Sequence, residues 1–149
     1  MLVRDVMTED PFTIDPDAPL ARAGDVMRAR DLRHLPVVDR DGRLIGIVAE
    51  RDLRRAALAP AAAEDRSAPA LRRPPTALAV RDVMSGDVVT THPEAPLAHA
   101  ARIMFERRVG SLPVLLDGRL LGMLTEHDVA RALASGRVGG DLDTEGLPG

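Results

Sequence analysis

The chain of 149 residues contains no cysteine, lysine, asparagine, glutamine, tryptophan or tyrosine, and only two phenylalanines. The absence of cysteine excludes a disulfide framework, a thiol nucleophile and a thiolate metal site. All 20 basic residues are therefore arginines, and with 23 acidic residues the formal net charge is −3. Because the chain is nearly neutral and has no basic run, it lacks the electrostatic footprint of a nucleic-acid-binding protein.

Long hydrophobic runs are also missing. No apolar stretch approaches the roughly 20 residues that cross a bilayer, so no membrane association is expected. The N-terminal region carries Asp5, Glu9 and Asp10, unlike a signal peptide. The composition, with 45% hydrophobic and 29% charged residues, is that of a globular protein. A cytoplasmic location is the expectation.

The most informative feature that is present is an internal repeat. Val3–Met7 returns as Val80–Met84, and Gly46–Asp52 returns with changes as Gly122–Asp128. Between these matches, each copy also contains a Leu-Pro-Val triplet and an Asp-Gly pair. A duplication that stays in register over the whole unit predicts two copies of one structural element.

Each repeat is predicted to fold as β-α-β-β-α, which makes the fold class α/β in the broad sense, or α+β. A unit of fewer than about 60 residues buries too little surface to be stable alone. We therefore expect two repeats packed sheet to sheet about a pseudo-twofold axis. The first strands are predicted near Phe12–Ile14 and Val88–Thr91, the first helices near Asp17 and Glu94, and tight hairpin turns at Asp39–Gly42 and Asp117–Gly118.

The repeats and their composition divide the chain into four parts. Residues 1–58 form the first repeat, and residues 80–136 form the second. Residues 59–79 contain four prolines and many alanines, which is typical of a linker that could be partly helical. Residues 137–149, rich in glycine and acidic residues, are predicted to be a flexible tail.

A strand that runs directly into a helix is the strongest local signal. Leu120–Leu124 is a mostly apolar run, and Thr125 is predicted to cap the following helix, with Asp128 three residues later completing a capping box. The helix N-terminus offers free N–H groups and a positive dipole end to an anion. Capping needs no ligand, and both roles can hold together. In the first repeat Ala49 replaces the capping residue, while Asp52 is retained.

Two β-α-β-β-α repeats with Leu-Pro-Val, Asp-Gly and Gly-x-x-[Thr/Ala]-x-x-Asp resemble a pair of cystathionine-β-synthase-type (CBS) domains, also called a Bateman module. The resemblance covers about residues 1–58 and 80–136. It implies a regulatory protein without catalytic residues or cofactor, which binds AMP, ADP, ATP or S-adenosylmethionine in clefts between the repeats. It also implies a homodimer.

The resemblance further implies which residues bind the ligand. The ribose is expected on Asp128 and, in the other cleft, on Asp52, and the hydroxyl near the phosphate on Thr125. Ala49 departs from the family pattern, which places the Asp52 cleft in question. Each cleft is expected to borrow residues from the opposite repeat. The resemblance assigns the stretches Met7–Phe12 and Leu32–His34 to the Asp128 cleft, and Met84–Val89 and Val109–Ser111 to the Asp52 cleft. The ligand-binding candidates are Phe12, Leu32, Arg33, His34, Asp52, Val89, Gly110, Ser111, Thr125, His127 and Asp128.

Several alternatives remain open on the sequence. Arg33 and His34 form either a phosphate clamp or a solvated strand start. The histidines are not spaced as metal ligands, and no nucleophile or acid–base group has an evident partner, so an enzyme has little support. The chain contains no recognisable effector domain, so a signal would pass to a separate, unidentified partner protein. The alternative function is a dimerisation or interaction scaffold that binds no nucleotide, favoured by Ala49 and the absence of lysine.

Overall fold

The structure is a computed structural model that describes residues 1–58 and 77–136. The predicted tail (137–149) and most of the predicted linker lie outside the described residues. Within the described ranges, no helix combines the length and the apolar character needed to span a bilayer.

The described residues contain both helices and short antiparallel strands, which confirms a mixed α and β fold. A 3₁₀ turn at Val3–Asp5 precedes them. The helices are α1 (Leu20–Arg30), α2 (Glu50–Leu58), α3 (Val80–Val83), α4 (Leu97–Arg107) and α5 (Glu126–Ala134). The strands are β1 (Thr8–Glu9), β2 (His34–Val38), β3 (Leu44–Ala49), β4 (Ser111–Leu116) and β5 (Arg119–Thr125).

The chain forms two compact units that are not coextensive with the two sequence repeats. The first unit combines Met1–Pro11 with the chain from Val89 onward, and the second comprises Phe12–Val88. We call Met1–Pro11 the N-terminal arm and Ala77–Val88 the central arm. Each arm belongs to one repeat in the sequence but contributes to the core built by the other repeat.

The first unit contains a three-stranded antiparallel sheet in the order β1-β5-β4. The N-terminal arm supplies β1, in which Thr8 lies opposite Met123 and Glu9 opposite Gly122. Strands β4 and β5 form a hairpin whose turn, at Asp117-Gly118, has positive φ at both residues. This geometry is that of the tight hairpin turn predicted from the Asp-Gly pair. The core beneath the sheet is aliphatic and is formed by residues of α4, α5 and the arm.

The N-terminal arm is fixed to the first unit by backbone hydrogen bonds and by burial. The amides of Val3 and Arg4 donate to the carbonyls of Ala95 (2.9 Å) and Pro93 (3.0 Å). The Val3 side chain is fully buried in the core of this unit. An exposed ion pair of 2.6 Å between the Arg4 guanidinium and Glu94 adds to the contact, although such surface pairs contribute little stability.

The second unit repeats this arrangement with the central arm. Its β2–β3 hairpin pairs Leu35 with Val48, and the amide of Val80 donates to the carbonyl of Ala18 (2.9 Å). Leu78 and Val80 are buried in the core, although the sequence placed residue 78 in the linker. The corresponding ion pair joins Arg81 to Asp17. Both arms therefore use the same contacts at equivalent positions.

Asp17 and Glu94, predicted near the helix starts, lie three residues before them. Helices α1 and α4 begin at Leu20 and Leu97, and a proline occupies the N-cap position of each. Proline suits the first turn of a helix because it has no N–H group to satisfy. The two carboxylates instead pair with the arginines of the arms, a contact that local sequence patterns do not encode.

The predicted first strands are reduced to single bridging residues. Ile14 forms a parallel bridge with Val37, and Thr91 forms one with Val114. The Ile14 amide donates to the Pro36 carbonyl (3.0 Å), and its carbonyl accepts from the Val38 amide (3.2 Å). The pairing cannot extend, because Pro16 and Pro93 follow two residues later and lack the N–H group that a longer ladder would use.

A glycine in each hairpin lets the arm approach closely. A Cβ atom at Gly122 would lie 2.7 Å from the carbonyl oxygen of Thr8 and 3.0 Å from the Met7 sulfur. At Gly46, it would lie 2.7 Å from the Met84 sulfur and 3.0 Å from the Ser85 carbonyl oxygen. Backbone oxygen atoms cannot move aside as a flexible side chain can, so the absence of a side chain here is a packing requirement.

We expect Gly122→Ala to displace β1 and to lower the free energy of unfolding by roughly 1–3 kcal/mol, the usual cost of overpacking. Gly86→Ala is the control, because its Cβ would meet nothing closer than the Ile45 carbonyl oxygen at 4.0 Å. Urea unfolding of both variants measures the effect. Equal stabilities of Gly122→Ala and the parent would contradict the close approach.

Candidate functional site

The junction between β5 and α5 has the geometry that the sequence predicted. Thr125 has extended backbone angles, and its hydroxyl accepts a hydrogen bond from the amide of Asp128 (3.1 Å). The Asp128 carboxylate oxygen Oδ2 in turn accepts from the amide of Thr125 (3.0 Å). The two residues form a reciprocal capping box, which satisfies two N–H groups that a helix start would otherwise leave open.

The Asp128 carboxylate is buried and connects three parts of the first unit. Its side chain is only 4% exposed. Oxygen Oδ1 accepts from the guanidinium of Arg131 (2.7 Å) and from the hydroxyl of Thr8 in the N-terminal arm (3.3 Å). A buried carboxylate requires such partners, because an unpaired charge away from water is strongly destabilising.

The equivalent junction in the second unit is simpler. Oδ2 of Asp52 accepts from the amide of Ala49 (2.7 Å), but Ala49 has no hydroxyl to return a bond. Within residues 1–58 and 77–136, no donor reaches Oδ1 of Asp52, which is half-buried. Arg55 is the repeat equivalent of Arg131, but within residues 1–58 and 77–136 it forms no ion pair with Asp52. The Asp52 carboxylate thus has free acceptor capacity where Asp128 has little.

One of the two hydrogen bonds of a capping box, from the N-cap amide to the aspartate carboxylate, also occurs in both arms. Asp5 accepts from the amide of Leu2 (2.8 Å), and Asp82 accepts from the amide of Ala79 (2.9 Å). In these turns, as at Asp52, the N-cap residue three positions earlier is leucine or alanine and has no side-chain acceptor. An aspartate at this position therefore has a structural role that is independent of any ligand, and only Thr125 completes the reciprocal pair.

Six of the predicted site residues lie in the first unit. Ser111 begins β4 and Gly110 precedes it, beside the start of α5, where the amide of Glu126 donates to the Gly110 carbonyl (3.0 Å). Ser111 is buried and pairs with Thr125 across the sheet. His127 is exposed in the first turn of α5, and Val89 is half-buried against the core. The structure therefore brings Gly110 and Ser111 next to Thr125, Asp128 and the exposed His127.

The remaining predicted residues lie in the second unit. The carbonyl of Arg33 accepts from the amide of Glu50 (2.9 Å), and His34 pairs with Ala49, so both lie beside the start of α2. Leu32 packs partly against the core of this unit. The Phe12 ring is partly exposed, with the guanidinium of Arg30 at 4.5 Å from its centroid. The assignment of Phe12 and Leu32–His34 to the Asp128 cleft stays a prediction.

Two residues that contact the predicted site residues, Arg131 and Arg30, were not predicted from the sequence. Arg131 lies three residues after Asp128 on the same helix, a spacing at which charged side chains meet, so helical periodicity could have found it. Arg30 reaches Phe12 through a tertiary contact and carries no local signal. Thr8 lies in the Met7–Phe12 stretch that the resemblance assigned to the Asp128 cleft, but no local pattern indicates its bond to the carboxylate. Among the described residues, no group of three or more histidine, aspartate or glutamate side chains could hold a metal ion.

A family model described as the CBS domain matches residues 3–59 and 80–135. The chain belongs to the CBS-domain family. A CBS domain-containing protein of Dictyostelium discoideum is 38% identical over 131 residues, which are 87% of this chain and 88% of that protein. The match of this family model to each of the two sequence repeats confirms the resemblance inferred from the motifs.

Other CBS-containing relatives are much longer and are named as enzymes. The inosine-5′-monophosphate dehydrogenase of Methanocaldococcus jannaschii is 31% identical over 85% of this chain, which spans 22% of that enzyme. The L-aspartate semialdehyde sulfurtransferase of the same organism is 27% identical, and the chain spans 23% of its length. In both enzymes the similarity covers less than a quarter of the protein.

Solved structures of CBS domain pairs have the same fold. The structure of CBSX2 in complex with AMP has a TM-score of 0.78 and 27% identity, covering 91% of this chain and 98% of that one. The CBS domain pair of protein MJ0100, in complex with 5′-methylthioadenosine and S-adenosylmethionine, has a TM-score of 0.73 and 25% identity, with coverage of 91% and 98%. Both structures contain adenosine compounds.

The capping box at Thr125 and Asp128, and its incomplete counterpart at Ala49 and Asp52, can be tested by substitution. Thr125→Ala should lower the free energy of unfolding by about 1 kcal/mol, and Thr125→Asn, which also caps well, should recover most of it. Ala49→Ser adds the missing cap to α2 and should stabilise the protein by roughly 0.5–1 kcal/mol. Urea unfolding measures all three variants. If Thr125→Asn is as unstable as Thr125→Ala, the hydroxyl does not act as a cap.

Proposed function

We propose that this CBS protein is a regulatory sensor of an adenosine-containing ligand and that it passes the signal to a separate effector protein. The observation that carries the proposal is the duplicated aspartate in the first turn of a helix that follows an apolar strand directly. Asp128 and Asp52 hold this position, in a chain that aligns over 91% of its length with CBS pairs solved with adenosine compounds.

The chemistry of the two junctions suits a nucleoside. A carboxylate can accept hydrogen bonds from both hydroxyls of a ribose diol, and hydrogen bonds to a charged acceptor are strong. The start of α5 carries a positive dipole end, which favours a phosphate near Thr125. Adenine would contact mainly aliphatic groups and backbone, because Phe12 and Phe105 are the only aromatic residues of the chain.

The ligand prediction is tested by calorimetry with AMP and with S-adenosylmethionine, using guanosine monophosphate as the control compound. Asp128→Asn should weaken binding of the active adenosine compound about tenfold or more, because a charge-assisted hydrogen bond is lost. Asp52→Asn should have a smaller effect, since only the Asp128 junction has the hydroxyl of Thr125 beside it.

Asp82→Asn is the matched control for these variants. Asp82 accepts from the amide of Ala79 as Asp52 accepts from that of Ala49, but it lies in the central arm and not at a strand–helix junction. We expect it to lose a similar amount of stability and to bind the ligand like the parent. Equal binding by all four proteins would exclude both carboxylates as ligand groups.

We also propose that the protein is a homodimer that associates through α4 and α5. Phe105 is 85% exposed and Leu133 is 44% exposed, whereas Leu53 and Val129 are partly buried against the cores. The repeat equivalents of Phe105 and Leu133 are Arg28 and Ala57. Five large apolar side chains are exposed among the described residues: Phe12, Phe105, Leu116, Leu121 and Leu133. The two that lie on helices, Phe105 on α4 and Leu133 on α5, are both in the first unit, and burial against a second copy would remove them from water.

Phe105→Arg should shift the protein to the monomer, because it places a charge on this apolar face. The substitution is expected to be compatible with the fold, since Arg28 occupies the equivalent position of α1. Arg28→Ala, on the corresponding helix of the second unit, should leave the dimer unchanged. Light scattering at micromolar concentration measures the mass of each variant. A monomeric parent would contradict the dimer proposal.

The second candidate function is an interaction scaffold that binds no nucleotide. It is favoured by the Asp128 carboxylate, whose oxygens already accept three hydrogen bonds from the protein. A dimeric parent that binds neither AMP nor S-adenosylmethionine would support the scaffold over the sensor.

A further inference from the structure

The buried carboxylate of Asp128 joins the proposed ligand position to the N-terminal arm. Its three donors come from the helix cap (Thr125), from α5 itself (Arg131) and from the arm (Thr8). The first two donors belong to the same strand–helix junction as the carboxylate. Thr8 is 120 residues away in the sequence and is the one donor whose backbone can separate from this junction.

A ligand that binds this carboxylate must compete with a donor already present. An ionised carboxylate offers roughly four lone-pair directions, and three of them are in use. A ribose diol brings two further donors, so the demand exceeds the number of acceptor positions. The side chain is also only 4% exposed, which leaves no open approach to its oxygens while all three donors stay in place.

Thr8 is the donor that is lost at the lowest cost. Its hydroxyl is neutral and lies 3.3 Å from Oδ1, which is long for a hydrogen bond between oxygen atoms. The Arg131 guanidinium is charged and lies at 2.7 Å, and hydrogen bonds between charged groups are the stronger class. The Thr125 amide is held in place by the capping box. A released threonine hydroxyl, in contrast, can turn to water, because Thr8 is exposed.

The part of the arm around Thr8 has few other attachments. Strand β1 consists of two exposed residues, and within the described part of the chain it pairs with Met123 and Gly122 of β5 and with no other strand. The start of the arm is different, because Val3 is fully buried and its amide donates to Ala95. Loss of the Thr8 bond should therefore loosen β1 and leave the anchor at Val3 in place.

From these contacts we propose that the N-terminal arm reports occupancy of the Asp128 site. An adenosine ligand takes over the carboxylate, the hydroxyl of Thr8 is displaced, and β1 separates from β5 more readily. The inference rests on the proposed ligand function and adds the element that responds to the ligand. The loosened segment runs from Thr8 to Pro11, because Met7 packs against the core of the unit, and it is then available to a partner.

The second unit lacks this connection. Ser85 is the repeat equivalent of Thr8, and it pairs with Ile47 through two backbone hydrogen bonds of 2.9 Å. No hydrogen bond joins the Ser85 hydroxyl to Asp52 within the described residues. A ligand at Asp52 would therefore displace nothing from the central arm, so only one of the two junctions is coupled to an arm.

Thr8→Val tests the proposal, because valine has the shape of threonine without the hydroxyl. In the free protein, amide hydrogen exchange at residues 8–10 should be faster in the variant than in the parent. AMP and S-adenosylmethionine should then bind about two- to tenfold more tightly, since one competing hydrogen bond is gone. In the parent, the bound compound should accelerate exchange at residues 8–10 and leave the amides of Val3 and Arg4 unchanged.

Thr13→Val is the control for the same chemical change, because Thr13 is exposed and forms no hydrogen bond through its side chain within the described residues. It should match the parent in exchange and in affinity. Weaker binding by Thr8→Val would identify Thr8 as a ligand contact and overturn the proposal. Unchanged affinity, or arm exchange in the parent that does not respond to the bound compound, would also overturn it.

A result that rejects the proposed ligand function can be distinguished from one that rejects only the role of the arm. If the parent binds neither compound, the sensor function and the ligand-driven displacement are both rejected. The comparison of free Thr8→Val with the free parent still decides whether the Thr8–Asp128 bond holds β1. Equal exchange at residues 8–10 in the two free proteins would reject the attachment itself, whatever the ligand.

Discussion

The structure depends on the docking of each arm into a core built by the other sequence repeat. A repeat of this size has too little apolar surface to be stable alone, and each repeat lacks part of its own core. Val3 and Val80 fill equivalent buried positions, and backbone hydrogen bonds to the residues before α4 and α1 fix them there. A consequence is that neither sequence repeat is a folding unit by itself, because the residues that complete its core come from the other repeat.

Docking of the N-terminal arm also connects the capping box of Asp128, which is otherwise a local motif, to a distant part of the chain. The turn around Asp128 would satisfy its own helix start without any other part of the chain. Because the N-terminal arm passes beside β5 at Gly122, the Thr8 hydroxyl comes within reach of the carboxylate. A change at the carboxylate is then also a change in how the arm is held. This connection is the physical basis on which a binding event could be transmitted.

The two repeats have kept their backbone and diverged in the side chains around it. The junctions at Asp52 and Asp128 share a strand, a helix start and an N–H group bonded to the aspartate. The hydroxyl cap, the arginine pair and the threonine of the arm occur only at Asp128 in the described residues. On the outer helices, Phe105 stands where the first repeat has Arg28. Duplication therefore supplied two similar sites, and substitution made them chemically different.

The sequence by itself determined the elements and the local motifs. The repeat, the hairpin turns with positive φ at Gly42 and Gly118, and the capping box of Thr125 and Asp128 all follow from residues close together in the chain. Such features are predictable because their energies arise within a few residues. The family resemblance also came from these short motifs in their order.

Only the tertiary structure decided which residues complete each core and each junction. The pairing of Glu94 with Arg4, the bond from Thr8 to Asp128 and the exposure of Phe105 all depend on where distant segments meet. The first strands shrank to single bridges because the prolines that follow them interrupt the ladder. Apolar periodicity in the sequence predicts that a side chain is buried, but it does not predict against which segment. The hydrophobic effect has no direction and no preferred partner.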